Sequence, residues 1–212
     1  MADEKMLRYY FKIQNDKRQA YKIENRCTLR FPEVIFIGDS IVEFFRLEDY
    51  IKTQKVVANR GISAYTSDIL LKYLDTHIFG DQLKTVFILI GTNDIGISIS
   101  KEKTITNMTQ IIEKIKENYP SVTIVLLEIL PVNTRVFDLS RFGMRDNKTI
   151  SDLNRAYEEL TNKFDYVSLL ETYDAFLDNK GDLKVDFTKD GLHLSDKGYQ
   201  VLAELINQTE YL

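Results

Sequence analysis

The sequence predicts an α/β fold of three layers, a five-stranded parallel sheet lying between two layers of helix. Three observations carry this expectation. Five short runs are rich in β-branched and aromatic residues, helical periods lie between them, and glycine-bearing polar turns follow the first three runs. Parallel neighbours are joined by right-handed crossovers that need a helix, so this alternation implies helices on both faces of the sheet.

Residues 4–26 are polar, carry no Gly or Pro, and set Leu7, Tyr10 and Phe11 at helical spacing, which predicts an amphipathic leading helix packed on the domain edge. Past Pro32 come the strand-like runs 34–37, 56–58, 86–90, 122–127 and 166–169. Ile69, Leu70, Tyr73 and Leu74 form a short helical period, and Ile105, Met108, Ile111, Ile112 and Ile115 form the clearest one. The segment 132–148 mixes Arg135, Phe137, Arg141, Phe142 and Arg145 without a clean period, so it reads as a long loop with a short helix. Ser195 is the expected N-cap of a last helix that buries Tyr199, Leu202, Ala203 and Ile206. Pro32, Pro120 and Pro131 mark strand boundaries. Residues 1–30 are thus expected to be a helical extension packed on a domain of residues 31–212.

A chain of 212 residues with 44% hydrophobic content is long enough to bury a sizeable core. Its 32 acidic and 28 basic side chains leave a net charge of −4, which argues against a nucleic-acid partner. The longest apolar runs are far shorter than the roughly 20 residues of a membrane helix, so no integral membrane segment is expected. The charged first 30 residues do not read as a secretory signal, and Cys27 stands alone, so a cytoplasmic location is expected. No His, Cys and carboxylate cluster has zinc-site spacing, and neither metal nor cofactor is expected. A homo-oligomer is left open.

Ligands of an open parallel sheet bind outside the carboxyl ends of its strands. There the chain supplies Gly38-Asp39-Ser40, Asn59-Arg60-Gly61-Ile62-Ser63 and Gly91-Thr92-Asn93-Asp94, while Asp190-Gly191-Leu192-His193 precedes the last helix. A serine hydroxyl needs a base, and the base needs an orienting group. Of the two histidines, His77 follows an apolar helical stretch and reads as structural. His193 lies three residues after Asp190, and a turn through Gly191 lets that carboxylate hold one ring nitrogen while the other faces Ser40. The N–H groups of Ser40 and Gly61 and the Asn93 amide suit an oxyanion hole.

Taken in this order, the four segments resemble the SGNH or GDSL family of esterases and lipases. The resemblance implies a flavodoxin-like fold, Ser40 as nucleophile, His193 as base, Asp190 as orienting acid, and oxyanion donors at Ser40, Gly61 and Asn93. It covers residues 38–193 by motif and makes 31–212 an SGNH hydrolase domain. The Asn-Arg-Gly-Ile-Ser segment further looks like the branch containing platelet-activating-factor acetylhydrolase and lysophospholipase-like esterases. Two departures stand out: Ile41 replaces the leucine of the family name, and Ala64 stands where many relatives carry another glycine.

Each segment has a plainer reading alone. Gly-Asp-Ser is an ordinary strand-to-helix turn, and Gly91 with Gly96 has phosphate-loop spacing but Ile97 where that loop needs Lys. Asp39 suits a helix start, while Tyr65, Thr66 and Asp94 are placed to line or brace the site. Together the segments favour a serine ester hydrolase acting on a small-molecule ester through an acyl-Ser40 intermediate, with short-acyl substrates expected. The same residues would serve a thioesterase, a lysophospholipase or a carbohydrate deacetylase. The remaining alternative is a non-catalytic flavodoxin-like binding module.

Overall fold

A computed structural model describes residues 4–138 and 143–212. Strands β1 (Val34–Gly38), β2 (Val57–Gly61), β3 (Thr85–Leu89), β4 (Thr123–Leu127) and β5 (Val167–Leu170) form one sheet in the order β2-β1-β3-β4-β5. Every pairing is parallel, with Gly38 level with Gly61 on one side and with Leu89 on the other. The expected α/β three-layer class, with its flavodoxin-like order, is therefore the observed one. The strands lie within a few residues of the predicted runs, β2 being longer at its carboxyl end.

Around the sheet lie helices α1 (Glu4–Cys27), α2 (Ser40–Glu43), α3 (Leu47–Tyr50), α4 (Ser67–Lys72), α5 (Leu74–His77), α6 (Thr92–Gly96), α7 (Lys101–Asn118), α8 (Asn147–Thr161), α9 (Tyr173–Phe176) and α10 (Asp196–Asn207), with a 3-10 turn at Val185–Phe187. Alternate residues of each strand enter different cores. Ile35, Ile37, Val86, Ile88, Ile124 and Leu126 meet Met108, Ile111 and Ile112 of α7 and Tyr157 of α8. Val34, Phe36, Phe87, Leu89, Val125 and Leu127 meet Phe45 and Tyr199, Leu202 and Ile206 of α10. Both faces being covered, β1 and β3 are buried along their whole length, which is why they read as continuous apolar runs.

The long loop expected over 132–148 ends sooner, because Asp146 caps α8 by accepting the Thr149 N–H at 2.9 Å. Arg141 and Phe142 lie outside the described residues. Ser195 caps α10 as expected, accepting the Gly198 N–H. The leading helix forms but packs differently from its predicted stripe. Tyr10 and Phe11 are 40% and 65% exposed, and over residues 8–27 the side chains it buries are Gln14, Arg18 and Tyr21. Polar partners on the domain, not apolar periodicity, decide which face turns inward.

His77 is fully buried at the end of α5, with Nδ1 donating to the Arg60 carbonyl at 2.7 Å. Burial drives its pKa down to about 4, helped by the charges of Arg60 and Arg18 and opposed by that hydrogen bond. A histidine titrating lower in the folded chain than in the unfolded one stabilises the fold above about pH 6.5 and loses that contribution as pH falls towards 4. The stability advantage of the wild type over His77→Gln should therefore shrink between pH 7 and pH 4.5 in urea unfolding. A difference that stays constant with pH would contradict this account.

Candidate active site

The first strand turns into α2 in very little space: a Cβ on Gly38 would lie 2.0 Å from the Leu89 carbonyl oxygen. Asp39 caps the short helix by accepting the Ile41 N–H at 2.9 Å, the structural position expected for it. Ser40 becomes the first helical residue, so its N–H has no carbonyl within the helix to bond. Its side chain stands at the sheet edge beside β2 and β3.

Residues 188–194 fold back on themselves through an isolated bridge between Thr188 and Leu194. Thr188 Oγ1 accepts the Gly191 N–H at 2.9 Å and donates to the His193 carbonyl at 2.8 Å. Gly191 takes a φ of +88°, a conformation that a side chain would resist. The turn brings Asp190 against His193. Oδ1 accepts the N–H groups of Leu192 and His193 at 3.0 and 2.8 Å, and Oδ2 lies 2.8 Å from His193 Nδ1. A carboxylate only accepts, so Nδ1 carries the proton and Nε2, 3.1 Å from Ser40 Oγ, presents its lone pair to the hydroxyl. Burial raises the Asp190 pKa, but the hydrogen bonds from the His193 ring, the His193 N–H and the Leu192 N–H outweigh it, and the net direction is down.

Asn93 sits in α6, just past β3. Its Nδ2 donates to the Tyr65 carbonyl at 2.9 Å, and its Oδ1 accepts from Arg145 Nη2 at 2.6 Å. Arginine can only donate and a carbonyl can only accept, so these two contacts fix which way the amide points. The second amide hydrogen remains uncommitted among the described residues. Arg145 also donates through Nε to Thr92 Oγ1 at 3.2 Å, its guanidinium lying against Gly96 where a Cβ would collide. In the sequence this arginine reads only as a charge in a loop without a clean period. Its partners are 52 and 53 residues away, and no local pattern announces them.

Gly61 occupies the end of β2, but its N–H is engaged by Asn59 Oδ1 at 2.9 Å. Asn59 is in turn held by the carbonyls of Val42 and Phe45. Along 61–65 the other amides are also taken: Ile62 N–H donates to Gly38, Ser63 N–H to Glu43 Oε2, and Tyr65 N–H to Ile62. Among the described residues, Ala64 N–H is the one in that turn without an acceptor, and Ala64 holds a φ of +59°. Tyr65, Thr66 and Asp94 are buried. Asp94 accepts Ser67 N–H at 3.0 Å, the Ser67 hydroxyl and Thr104 Oγ1, which pins α4 and α7 to α6. Among the described residues, no group of three or more His, Cys, Asp or Glu could hold a metal ion, and no helix is long and apolar enough to cross a membrane.

Residues 36–201 match the model of the GDSL-like lipase/acylhydrolase family. A solved structure from Streptococcus pneumonia, described as a platelet activating factor, superposes with a TM-score of 0.94 at 37% identity, covering 97% of this chain and 96% of that one. The N-acylneuraminate cytidylyltransferase of Escherichia coli is 30% identical over 186 residues. That match spans 85% of this chain but only 42% of the cytidylyltransferase. Platelet-activating factor acetylhydrolase IB subunit alpha2 of Homo sapiens is 23% identical over 92% of this chain and 85% of its own length.

Asp39, next to the serine, is buried, and its Oδ2 has no hydrogen-bond partner among the described residues. Burial raises its pKa to about 7, against the Ile41 N–H and the charge of Arg145, which lower it. A carboxyl whose folded pKa lies above its unfolded value of 3.8 contributes stability at low pH that is lost as pH rises through about 7. Asp39→Asn keeps a capping oxygen and removes the ionisation. Its melting temperature relative to wild type should therefore rise by at least about 2 °C between pH 5 and pH 8. A shift in the opposite direction would show that the carboxylate is stabilised in place.

Proposed function

This chain belongs to the GDSL-like lipase/acylhydrolase family, and from that premise we propose that it is a serine ester hydrolase working through an acyl-Ser40 intermediate. One observation carries the proposal: Ser40 Oγ, His193 Nε2, His193 Nδ1 and Asp190 Oδ2 form a continuous chain of contacts at 3.1 and 2.8 Å. His193 Nε2 takes the Ser40 proton as Oγ attacks the ester carbonyl carbon, and the imidazolium so formed is stabilised by Asp190. The tetrahedral intermediate collapses as Nε2–H protonates the departing alcohol. Water, activated by the same nitrogen, then attacks the acyl-serine and releases the acid.

The oxyanion of each tetrahedral intermediate needs donors with no competing partner. Ser40 N–H and the second Asn93 amide hydrogen meet that requirement. In place of the expected Gly61 we assign Ala64 N–H as the third donor, because Gly61 N–H is already bonded to Asn59. The adjoining Tyr65 carbonyl receives the Asn93 amide, which ties the 61–65 turn to Asn93. Arg145, by gripping Oδ1, keeps that amide from rotating.

The substrate reading remains a small or short-acyl ester. Arg135 of the loop after β4 is bound to Asp178 and Asp182, so it braces the domain instead of walling an acyl groove. The exposed aromatic beside the histidine is Phe44, its ring centre 5.8 Å from that of His193, enough to cover a short chain.

Ser40→Ala and His193→Ala should each abolish labelling by a fluorophosphonate and lower ester turnover by about 10⁴-fold or more with the fold intact. Labelling that persists at another serine would sink the assignment. Asn93→Ala should lower kcat by about 10²- to 10³-fold with a smaller change in KM. A normal kcat with a raised KM would mark it as a binding residue only. Across p-nitrophenyl esters, acetate to butyrate should give the highest kcat/KM, and a steady rise towards palmitate with a jump at aggregate formation would identify a lipase instead.

A further inference from the structure

Helix α1 lies before the span matched by the family model, yet its buried polar stripe ends on the 61–65 turn. Gln14 Nε2 donates to the Ser63 carbonyl at 3.0 Å, Arg18 Nη1 to the Tyr65 hydroxyl at 3.1 Å, and the Tyr21 hydroxyl to the Gly61 carbonyl at 2.8 Å. Spacings of four and three put these side chains on one face of the helix. Lys17 extends the same face to Glu43, at 3.4 Å from Oε1, while Glu43 Oε2 accepts both the N–H and the hydroxyl of Ser63 at 2.6 Å.

The Ser63 carbonyl and the Ala64 N–H are two ends of one planar peptide group. A donor on the carbonyl fixes that plane and polarises it, which makes the N–H at its far end a stronger donor. The plane needs holding. A residue other than glycine at a φ of +59° costs about 1 kcal/mol or more, and such a conformation persists only where its surroundings over-determine it. Within the turn itself, the Tyr65 N–H to Ile62 carbonyl bond is long at 3.3 Å.

We infer that α1 is a working part of the active site, with Gln14 as the positioning residue for the Ala64 oxyanion donor and Tyr21 as its support at Gly61. This inference rests on the oxyanion reading given above. It makes the leading helix part of the catalytic apparatus and not only a covering of the domain edge.

The test compares five variants of the full chain: Gln14→Met, which keeps the volume and loses the donor, Tyr21→Phe, Asn93→Ala, Asn25→Ala, and the double variant Gln14→Met with Asn93→Ala. Asn25 lies on the same helix but bonds the Thr76 carbonyl at 3.0 Å and accepts from Arg60 Nη2 at 3.3 Å, with no hydrogen bond to residues 61–65 among the described residues. Hydrolysis of a short-acyl p-nitrophenyl ester gives kcat and KM, and thermal unfolding reports the fold. Gln14→Met and Tyr21→Phe should lower kcat by about 10-fold with KM within about twofold, whereas Asn25→Ala should lower the melting temperature and leave kcat unchanged. Gln14→Met combined with Asn93→Ala should lose less than the product of the single effects, since both act on one oxyanion. Wild-type kcat in folded Gln14→Met and Tyr21→Phe, with Asn93→Ala impaired, overturns the inference and leaves the oxyanion reading standing. So does an equal kcat loss in Asn25→Ala, which would mean that α1 acts through stability alone. Normal kcat in Asn93→Ala overturns the oxyanion reading itself.

Discussion

A parallel sheet collects the carboxyl ends of its strands on one edge, and here β1 stands between β2 and β3. The chain leaves β1 towards one neighbour and later returns on its other side, so the loops on either side diverge at this switch point. Ser40 leaves β1, the 61–65 turn leaves β2 and Asn93 follows β3. Groups separated by tens of residues are thereby held in neighbouring loops, which the Asn93 to Tyr65 and Ser63 to Glu43 hydrogen bonds then tie together. The register that aligns them is enforced by burial. Slipping β1 by one residue would exchange Ile35 and Ile37 with Phe36 across the sheet and put each into the wrong core.

Close packing of loops at that edge buries polar groups, and buried polar groups must find partners. Asp94 gathers donors from Ser67 and Thr104, and Asn107 reaches the same Ser67 hydroxyl at 2.8 Å. Tyr65, fully buried, has its carbonyl bonded to Asn93 and its hydroxyl to Arg18. The side-chain atoms left buried and unpartnered among the described residues are Asp39 Oδ2, Arg60 Nε and His77 Nε2. Asp39 and His77 are also the groups whose pKa values burial displaces to about 7 and about 4. The site therefore rests on a polar layer in which incomplete hydrogen bonding is confined to a few atoms among the described residues, and two of these belong to Asp39 and His77, the groups expected to make stability depend on pH.

Much of this was legible in the sequence because it depends on local pattern. The five apolar runs, the Ser195 cap and the three-residue interval from Asp190 to His193 are all short-range signals, and each corresponds to an observed element or contact. Three features were not legible, for a common reason. Tyr10 and Phe11 satisfy helical spacing, yet Gln14, Arg18 and Tyr21 are the side chains with partners on the domain. Arg145 looked like a loop charge, and only folding brings it to Thr92 and Asn93. Gly61 was the expected donor because glycines suit close backbone approach, but the Asn59 side chain two residues before it takes its N–H. In each case a tertiary partner decides what an isolated residue is free to do. The departure at Ala64 was visible as a missing glycine, while its left-handed backbone was not.

An oxyanion donor is useful when it is already aimed and has nothing else to bond, because reorganisation during the reaction then costs little. In the proposed oxyanion hole, a second contact behind each assigned donor prevents rotation. Arg145 stands behind the Asn93 amide, Gln14 behind the Ser63–Ala64 peptide, and the Asp39 cap behind the start of α2. The first two come from outside the four motif segments, one from the loop before α8 and the other from α1. Motif residues alone would supply donors of the right chemistry with amide and peptide planes free to turn. On the proposed oxyanion reading, the segments around the motifs set how well those donors are aimed, and a chain that kept all four motifs would still lose catalytic power through a substitution in its leading helix.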